Sequence, residues 1–195
     1  TLILFLTDNG ACPEQPNTTP NILPGPVESY RTVSVGWANA SNTPYRRFKS
    51  TDYEGGTRTP FIAHWPGVIK PGMTDQVGHI IDISATFRDI TGAKYPKAIN
   101  GNKTKDPVGK SLLPIFHGKT RESHKEIYWH FGSANAVRQG DLKAVRQGRS
   151  AWELYDLKAD PSEVNNLAKL NPQKTQELGK MWESWSKEIK SRPGK

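Results

Sequence analysis

Residues 1–10 read Thr-Leu-Ile-Leu-Phe-Leu-Thr-Asp-Asn-Gly, in which five consecutive apolar residues lead through one threonine to an acid, an amide and a glycine. An apolar run of this length predicts a buried strand in a sheet that is covered by helices on both faces. Such sheets hold their functional groups where the strands end. We therefore predict an α/β fold with a candidate site at Asp8 and Asn9.

These two residues have two interpretations. Both offer hard oxygen donors, which divalent cations such as Ca²⁺ and Mg²⁺ prefer. The triplet Asp-Asn-Gly is equally well suited to a simple turn. Taken alone, residues 1–10 favour the turn, because a short motif often occurs by chance.

A second group of motifs, some forty residues further on, changes this balance. Together with Thr-Asp-Asn-Gly, it resembles the C-terminal part of a sulfatase of the arylsulfatase family. Each motif is short, but their common order over nearly the whole chain makes the resemblance specific. The motifs are Thr43-Pro44-Tyr45-Arg46, Lys49, Tyr53-Glu54-Gly55-Gly56-Thr57-Arg58-Thr59-Pro60, Trp65-Pro66-Gly67, His79-Ile80-Ile81-Asp82, Gly109-Lys110-Ser111-Leu112-Leu113-Pro114, Val137-Arg138-Gln139-Gly140 and Glu153-Leu154-Tyr155-Asp156-Leu157.

The resemblance implies an α/β fold in two parts. Residues 1–119 are expected to form the end of an alkaline-phosphatase-like mixed sheet flanked by helices, as the incomplete C-terminal part of the catalytic domain. Residues 120–195 are expected to form a small antiparallel-sheet subdomain with a C-terminal helix.

The residues of the second part independently favour this arrangement. Short aromatic or alternating runs between residues 127 and 157 predict four antiparallel strands. Asp160 and Glu163 have the spacing of a helix start with a capping box, and a further helix is predicted from Asn171-Pro172 onward. Apolar residues at helical spacing in that last helix indicate a face packed on the sheet: Leu178, Met181, Trp182, Trp185 and Ile189.

The resemblance also implies the roles of three site residues. Asp8 and Asn9 would be two ligands of a divalent metal, usually Ca²⁺ and sometimes Mg²⁺, and Lys49 would contact the sulfate of the substrate. The cation polarises a sulfate oxygen, and the lysine adds a point charge to the same group. Without the Tyr-Glu-Gly-Gly motif that follows it, Lys49 would be interpreted as a solvated lysine.

Aromatic and histidine residues supply weaker candidates. His130 lies between Trp129 and Phe131, and we treat His130 and Trp129 as candidates for the rim of the substrate site. A structural or rim role is the favoured interpretation of His130 and of His79, because a single histidine without a geometric partner is not yet a general acid.

The sequence departs from the family at the nucleophile. Sulfatases of this family use a formylglycine made from Cys or Ser in a Cys-x-Pro-x-Arg signature. The only cysteine, Cys12, lies in Cys-Pro-Glu-Gln-Pro, which lacks this spacing and the arginine, so we interpret it as a loop thiol. We expect the formylglycine in an N-terminal half that is missing here. The chain begins without methionine inside a strand, so we also expect it to be a C-terminal fragment that is inactive alone.

The composition of the chain says less about its function than the motifs do. The chain has 195 residues, 34% of them hydrophobic, and a net charge of +8. This charge suits nucleic acid, but there is no recognised binding motif and acids are interleaved throughout. Attraction to anionic substrates such as sulfated polysaccharides, or a compensating acidic region in the missing half, explains the charge as well. No apolar run is long enough to span a membrane, and the family resemblance implies a periplasmic or secreted location.

Three functions remain open at this point. The first is hydrolysis of a small-molecule or glycan sulfate ester by the full-length protein. The second is hydrolysis of a phosphate or phosphonate by a related enzyme, since the same metal and charge pattern suits a phosphoryl group. The third is a non-catalytic module that binds sulfated glycans through its basic surface.

Overall fold

The computed structural model describes residues 1–15 and 18–191. Its strands are β1 (Ile3–Leu6), β2 (Phe61–His64), β3 (Ala98–Ile99), β4 (Asn102–Lys103), β5 (Ile127–Phe131), β6 (Ala134–Gln139), β7 (Leu142–Gln147) and β8 (Glu153–Asp156). Its helices are α1 (Ser34–Ser41), α2 (Glu54–Thr57), α3 (Ile81–Thr91), α4 (Leu113–Phe116) and α5 (Pro172–Ser191). No helix among the described residues is both long enough and apolar enough to cross a membrane.

The chain forms two compact units. The first contains Thr1–Phe5 and Phe61–His124, and the second contains Leu6–Pro60 and Lys125–Lys195. Leu6–Pro60 groups with the C-terminal sheet in these units, and the division into domains at residues 1–119 and 120–195 stays a prediction. The physical reason for the grouping is burial, since Tyr53 belongs to the same apolar cluster as the sheet residues Ala136 and Tyr155.

The first unit contains the strand predicted from residues 1–10. β1 pairs with β2 in a two-stranded sheet. The predicted burial on both faces is not found in this chain, because Ile3 and Phe5 remain 56% and 59% exposed. A neighbouring strand covers only an edge of β1, whereas burial of both faces requires elements packed above and below the sheet. Helix α3 has Gly92 as its left-handed C-cap (φ 69°), as expected for a helix stop.

The second unit contains a four-stranded antiparallel sheet in the order β5-β6-β7-β8, which confirms the predicted subdomain with its helix. Alternate residues face opposite sides of the sheet. One face packs on α5, through a cluster that includes Val137, Ala144 and Trp182. The other face carries Ala136 and Tyr155 and packs against Tyr53.

The predicted helix start at Asp160 was wrong. Residues 160–171 form turns and bends between β8 and α5. Asp160 does cap backbone groups, since its Oδ2 accepts from the N–H groups of Val164 and Asn165. Glu163 has a positive φ of 55° and is fully buried, so it cannot continue a helix and does not close a capping box. The last helix begins at Pro172, as predicted.

Candidate active site

In the loop after β1, Asp8 is exposed and Asn9 is half-buried. The Asn9 Nδ2 group donates a hydrogen bond to Asp8 Oδ2 at 2.6 Å. Behind them, Gly10 N donates to Gly56 O at 3.1 Å. A Cβ at Gly10 would lie 1.8 Å from Gly55 O, so no other residue fits this close approach. The two glycine motifs of the sequence therefore contact each other directly.

Lys49 is fixed to the other end of the same loop. Its backbone N–H donates to Ala11 O at 3.1 Å, and Ala11 N donates to Asn42 Oδ1 at 3.1 Å. The Lys49 side chain is 35% exposed and its Nζ lies 3.5 Å from Glu14 Oε1 and 3.9 Å from Cys12 Sγ. An ion pair this exposed is weak. The ammonium group is therefore available to an anionic ligand.

Asp8 and Asn9 fit a divalent cation in kind but not in number. A carboxylate and an amide oxygen are hard donors of the type that Ca²⁺ and Mg²⁺ accept, but Ca²⁺ takes about six to eight ligands. Among residues 1–15 and 18–191, no group of three or more His, Cys, Asp or Glu side chains could hold a metal. A cation bound here would need further ligands from outside this loop.

The short helix α2, whose Gly55-Gly56 turn contacts the Asp8-Asn9-Gly10 loop, takes part in a buried ion network. Lys143 Nζ forms a hydrogen-bonded ion pair with Glu54 Oε1 at 2.8 Å. It also lies 3.0 Å from Glu163 Oε1, in an ion pair without hydrogen-bond geometry. Glu163 Oε2 accepts from Glu54 N at 2.6 Å. Burial lowers the pKa of Lys143, but the two carboxylates outweigh it and hold that pKa above its ordinary value.

Sequence reasoning missed this network. One signal was available, because Lys143 interrupts the alternation of β7 next to Ala144 and Val145, where a charge must be paired to be buried. Glu163 gave no such signal, since its spacing from Asp160 imitated a capping box. Glu54 was noticed only as part of the Tyr-Glu-Gly-Gly motif, and Lys143 only as the residue that accompanies Val137-Arg138-Gln139-Gly140 in the family resemblance.

Arg46 ties the beginning of this segment to the sheet. Its Nη1 donates to Glu153 Oε2 at 3.0 Å and to Tyr155 OH at 2.7 Å. Its guanidinium group lies over the Tyr53 ring at 4.5 Å. Residues 46–56 are therefore anchored to the C-terminal sheet at both ends, which places Lys49 on a supported segment.

Asp52 is a further residue that the sequence did not predict. It is only 3% exposed, and its Oδ2 has no hydrogen-bond partner among the residues that the structure describes. Burial raises the pKa of Asp52 to about 6, against the effect of Lys143 and His130. A carboxyl group in this state changes its charge near neutral pH.

The two rim candidates, His130 and Trp129, lie on opposite faces of β5. His130 Nδ1 contacts Asn135 Oδ1 at 3.0 Å, and its ring lies edge-on to Trp182 at 5.5 Å. The Trp129 ring packs with the Tyr53 cluster, 5.6 Å from Lys143 Nζ. These contacts give both residues packing roles in the second unit, and their role at a substrate rim stays a prediction.

In the first unit, Asp82 is a structural centre. Its fully buried carboxylate accepts from His79 N at 2.9 Å, Arg121 Nη2 at 2.8 Å and Lys110 N at 2.8 Å, and it contacts His124 Nε2 at 2.7 Å. Burial opposes its ionisation, but these donors outweigh burial and lower the pKa of Asp82. All its acceptor sites are used, so it is not a free catalytic acid.

Comparison with known proteins identifies the family. A family model described as N-sulphoglucosamine sulphohydrolase, C-terminal, matches residues 46–191. The chain is 30% identical to an uncharacterized sulfatase of Schizosaccharomyces pombe over 93% of its own length and 37% of that protein. It is 29% identical to an N-acetylgalactosamine-6-O-sulfatase of Bacteroides thetaiotaomicron, over 94% of this chain and 36% of that protein. It is 30% identical to human arylsulfatase A, over 86% of this chain and 33% of that protein.

Solved structures agree on the fold. A protein from the glycosaminoglycan metabolism of Bacteroides thetaiotaomicron has a TM-score of 0.67 and 28% identity, covering 94% of this chain and 38% of that one. The PsFucS1 sulfatase of Pseudoalteromonas has a TM-score of 0.63 at 21% identity, and the match covers 100% of this chain and 38% of that one. The chain spans about a third of the relatives that it matches. These matches confirm the predicted fold class and the resemblance, and the chain belongs to the sulfatase family, whose C-terminal region it contains.

Proposed function

We propose that the complete protein hydrolyses sulfate esters, and that this chain contributes two metal ligands and a sulfate-binding lysine to its active site. Asp8 and Asn9 would hold a divalent cation, Ca²⁺ or alternatively Mg²⁺, and Lys49 would bind the sulfate. One observation carries the proposal: hydrogen bonds hold the Asp8-Asn9-Gly10 loop against both Gly56 and the Lys49 segment. The three candidate residues therefore lie on connected parts of the second unit.

The chemistry of each residue fits this reaction. The Lys49 ammonium group would exchange its weak contact with Glu14 for the sulfate and hold that group in place. A cation bound by the oxygen atoms of Asp8 and Asn9 supplies charge that polarises a sulfate oxygen. The nucleophile would come from elsewhere, since Cys12 lacks the signature for formylglycine. We propose that an N-terminal part of the full-length protein supplies the formylglycine and the remaining metal ligands.

The substrate class follows from charge and from the relatives. The net charge of +8 favours anionic substrates, and a Bacteroides thetaiotaomicron relative is an N-acetylgalactosamine-6-O-sulfatase. We propose a small-molecule or glycan sulfate ester as the substrate. A periplasmic or secreted location is part of this proposal and follows from the family alone.

Hydrolysis of matched aryl sulfate and aryl phosphate esters by the complete protein tests the proposal. We expect sulfate release that needs a divalent metal and that falls by about 10²-fold or more in Lys49→Ala, since a charged group at the transferring centre is lost. Preference for the phosphate ester would identify a phosphatase or phosphonate hydrolase. No turnover of either ester, with glycan binding that weakens steeply in salt, would identify a binding module.

A further inference from the structure

We propose that Lys143 is a positioning residue for the metal and sulfate site. The inference rests on the proposed function of Asp8, Asn9 and Lys49. It adds that the C-terminal sheet, through one buried lysine, sets the placement of loops that are distant from it in sequence. Lys143 itself contacts neither the metal ligands nor the sulfate-binding lysine.

The first step runs from the sheet to the turn. Lys143 lies in β7 on the face opposite α5, and its ammonium group holds Glu54 at 2.8 Å. Glu163, from the turn after β8, accepts the Glu54 backbone N–H at 2.6 Å and also contacts the lysine. The sheet therefore fixes the side chain of Glu54 directly, and its backbone through Glu163.

The second step runs from the turn to the two loops. Gly55 and Gly56 follow Glu54 directly; Gly55 N donates to Arg46 O at 2.8 Å, and Gly56 O accepts from Gly10 N at 3.1 Å. The Gly10 and Gly55 backbones approach so closely that a shift of the turn must move the Asp8-Asn9 loop. That loop in turn holds Lys49 through Ala11 O.

Stability does not explain why these charges are buried. Two carboxylates and one ammonium group lose their hydration, and a well-packed apolar replacement of a buried ion network is often as stable or more so. What the hydrogen-bonded contacts of the network add is direction, because the Lys143–Glu54 contact and the bond from Glu54 N to Glu163 each require a defined separation and orientation of their atoms. A network that stands between the sheet and the Gly55-Gly56 turn therefore suits a positioning role.

The test compares variants of the complete protein. In Lys143→Met/Glu54→Gln/Glu163→Gln, all three charges of the network are removed together, so that neither glutamate is left as a buried charge without its lysine. The milder Lys143→Gln keeps a hydrogen-bonding group. The control Arg146→Met changes a cation on the same strand but the other face, which packs on Trp152 and Trp182. For each variant we would measure melting temperature, the Kd for Ca²⁺, and kcat and KM for 4-nitrophenyl sulfate.

We expect the neutral triple variant to fold, to bind Ca²⁺ about tenfold more weakly and to lose about 10- to 100-fold in kcat/KM, mainly in kcat. Lys143→Gln should change in the same direction by less, and Arg146→Met should keep the wild-type Kd. Wild-type Kd and kcat in a folded triple variant would overturn the inference, as would failure of both Lys143 variants to fold. Unchanged Ca²⁺ binding in the single variant Asp8→Ala of the complete protein would instead overturn the proposed function.

Discussion

At the scale of single residues, Asp52 links burial to pH. Its folded pKa of about 6 lies above the ordinary carboxyl value of 3.8. The protonated form is therefore favoured in the folded state, and the contribution of Asp52 to stability is full below about pH 4 and is lost as the pH rises through about 6. The structure explains the raised pKa, because Asp52 Oδ2 is buried and has no hydrogen-bond partner among the described residues.

We predict that Asp52→Asn stabilises the protein at pH 7.5 by about 1–2 kcal/mol, because the cost of ionising a buried carboxyl disappears. The gain should shrink toward zero at pH 4. Urea unfolding at both pH values measures it, with Asp141→Asn as an exposed control. An equal effect of Asp52→Asn at both pH values would contradict the explanation.

Gly10 gives a second prediction at this scale. In Gly10→Ala the new Cβ would meet Gly55 O at 1.8 Å, so the loop that carries Asp8 and Asn9 must move. We expect Ca²⁺ affinity of the complete protein to fall by about tenfold or more, since metal sites depend on ligand placement. Isothermal titration calorimetry measures this change in Ca²⁺ affinity. Gly72→Ala, where nothing lies within 4 Å of the added carbon, should bind as the wild type does.

At the scale of elements, the packing of α5 on the sheet stabilises the second unit. Trp182 belongs to one apolar cluster with Val137, Ala144 and Leu154, and its Nε1 donates to Trp129 O at 2.8 Å. We predict that Trp182→Ala lowers the free energy of unfolding by about 3–5 kcal/mol. Denaturation followed by circular dichroism checks this. Ile189→Ala, on the same helix but more exposed, should cost less than about 1 kcal/mol.

Elements were easier to predict than contacts. The alternation of residues 127–157 and the spacing of Leu178, Trp182 and Trp185 each depend on neighbours in sequence, so the sheet and α5 were predicted correctly. The Glu54–Lys143–Glu163 network joins residues as far as 109 positions apart, and no local pattern indicates such a pairing. The loops of the candidate site were found through motif order, because their hydrogen bonds also join distant residues.

At the scale of the whole molecule, the chain spans about a third of its relatives. In our proposal it contributes only part of a site, namely two oxygen ligands and one lysine. We predict that a pure preparation of these 195 residues releases no sulfate from any ester, whereas the complete protein does. Assay of both against 4-nitrophenyl sulfate checks this. Turnover by the short chain that disappears in Lys49→Ala would refute the prediction.

The anchoring of residues 46–56 by the C-terminal sheet has a consequence for biosynthesis. The ribosome makes the loops with Asp8 and Lys49 roughly a hundred residues before it makes Lys143 and Glu163. With Lys143 in the positioning role proposed above, we expect these loops to reach their final arrangement only after β7 and the segment after β8 have emerged and folded onto them. A translation product that stops before residue 143 would carry every candidate ligand of this chain and still lack an organised site.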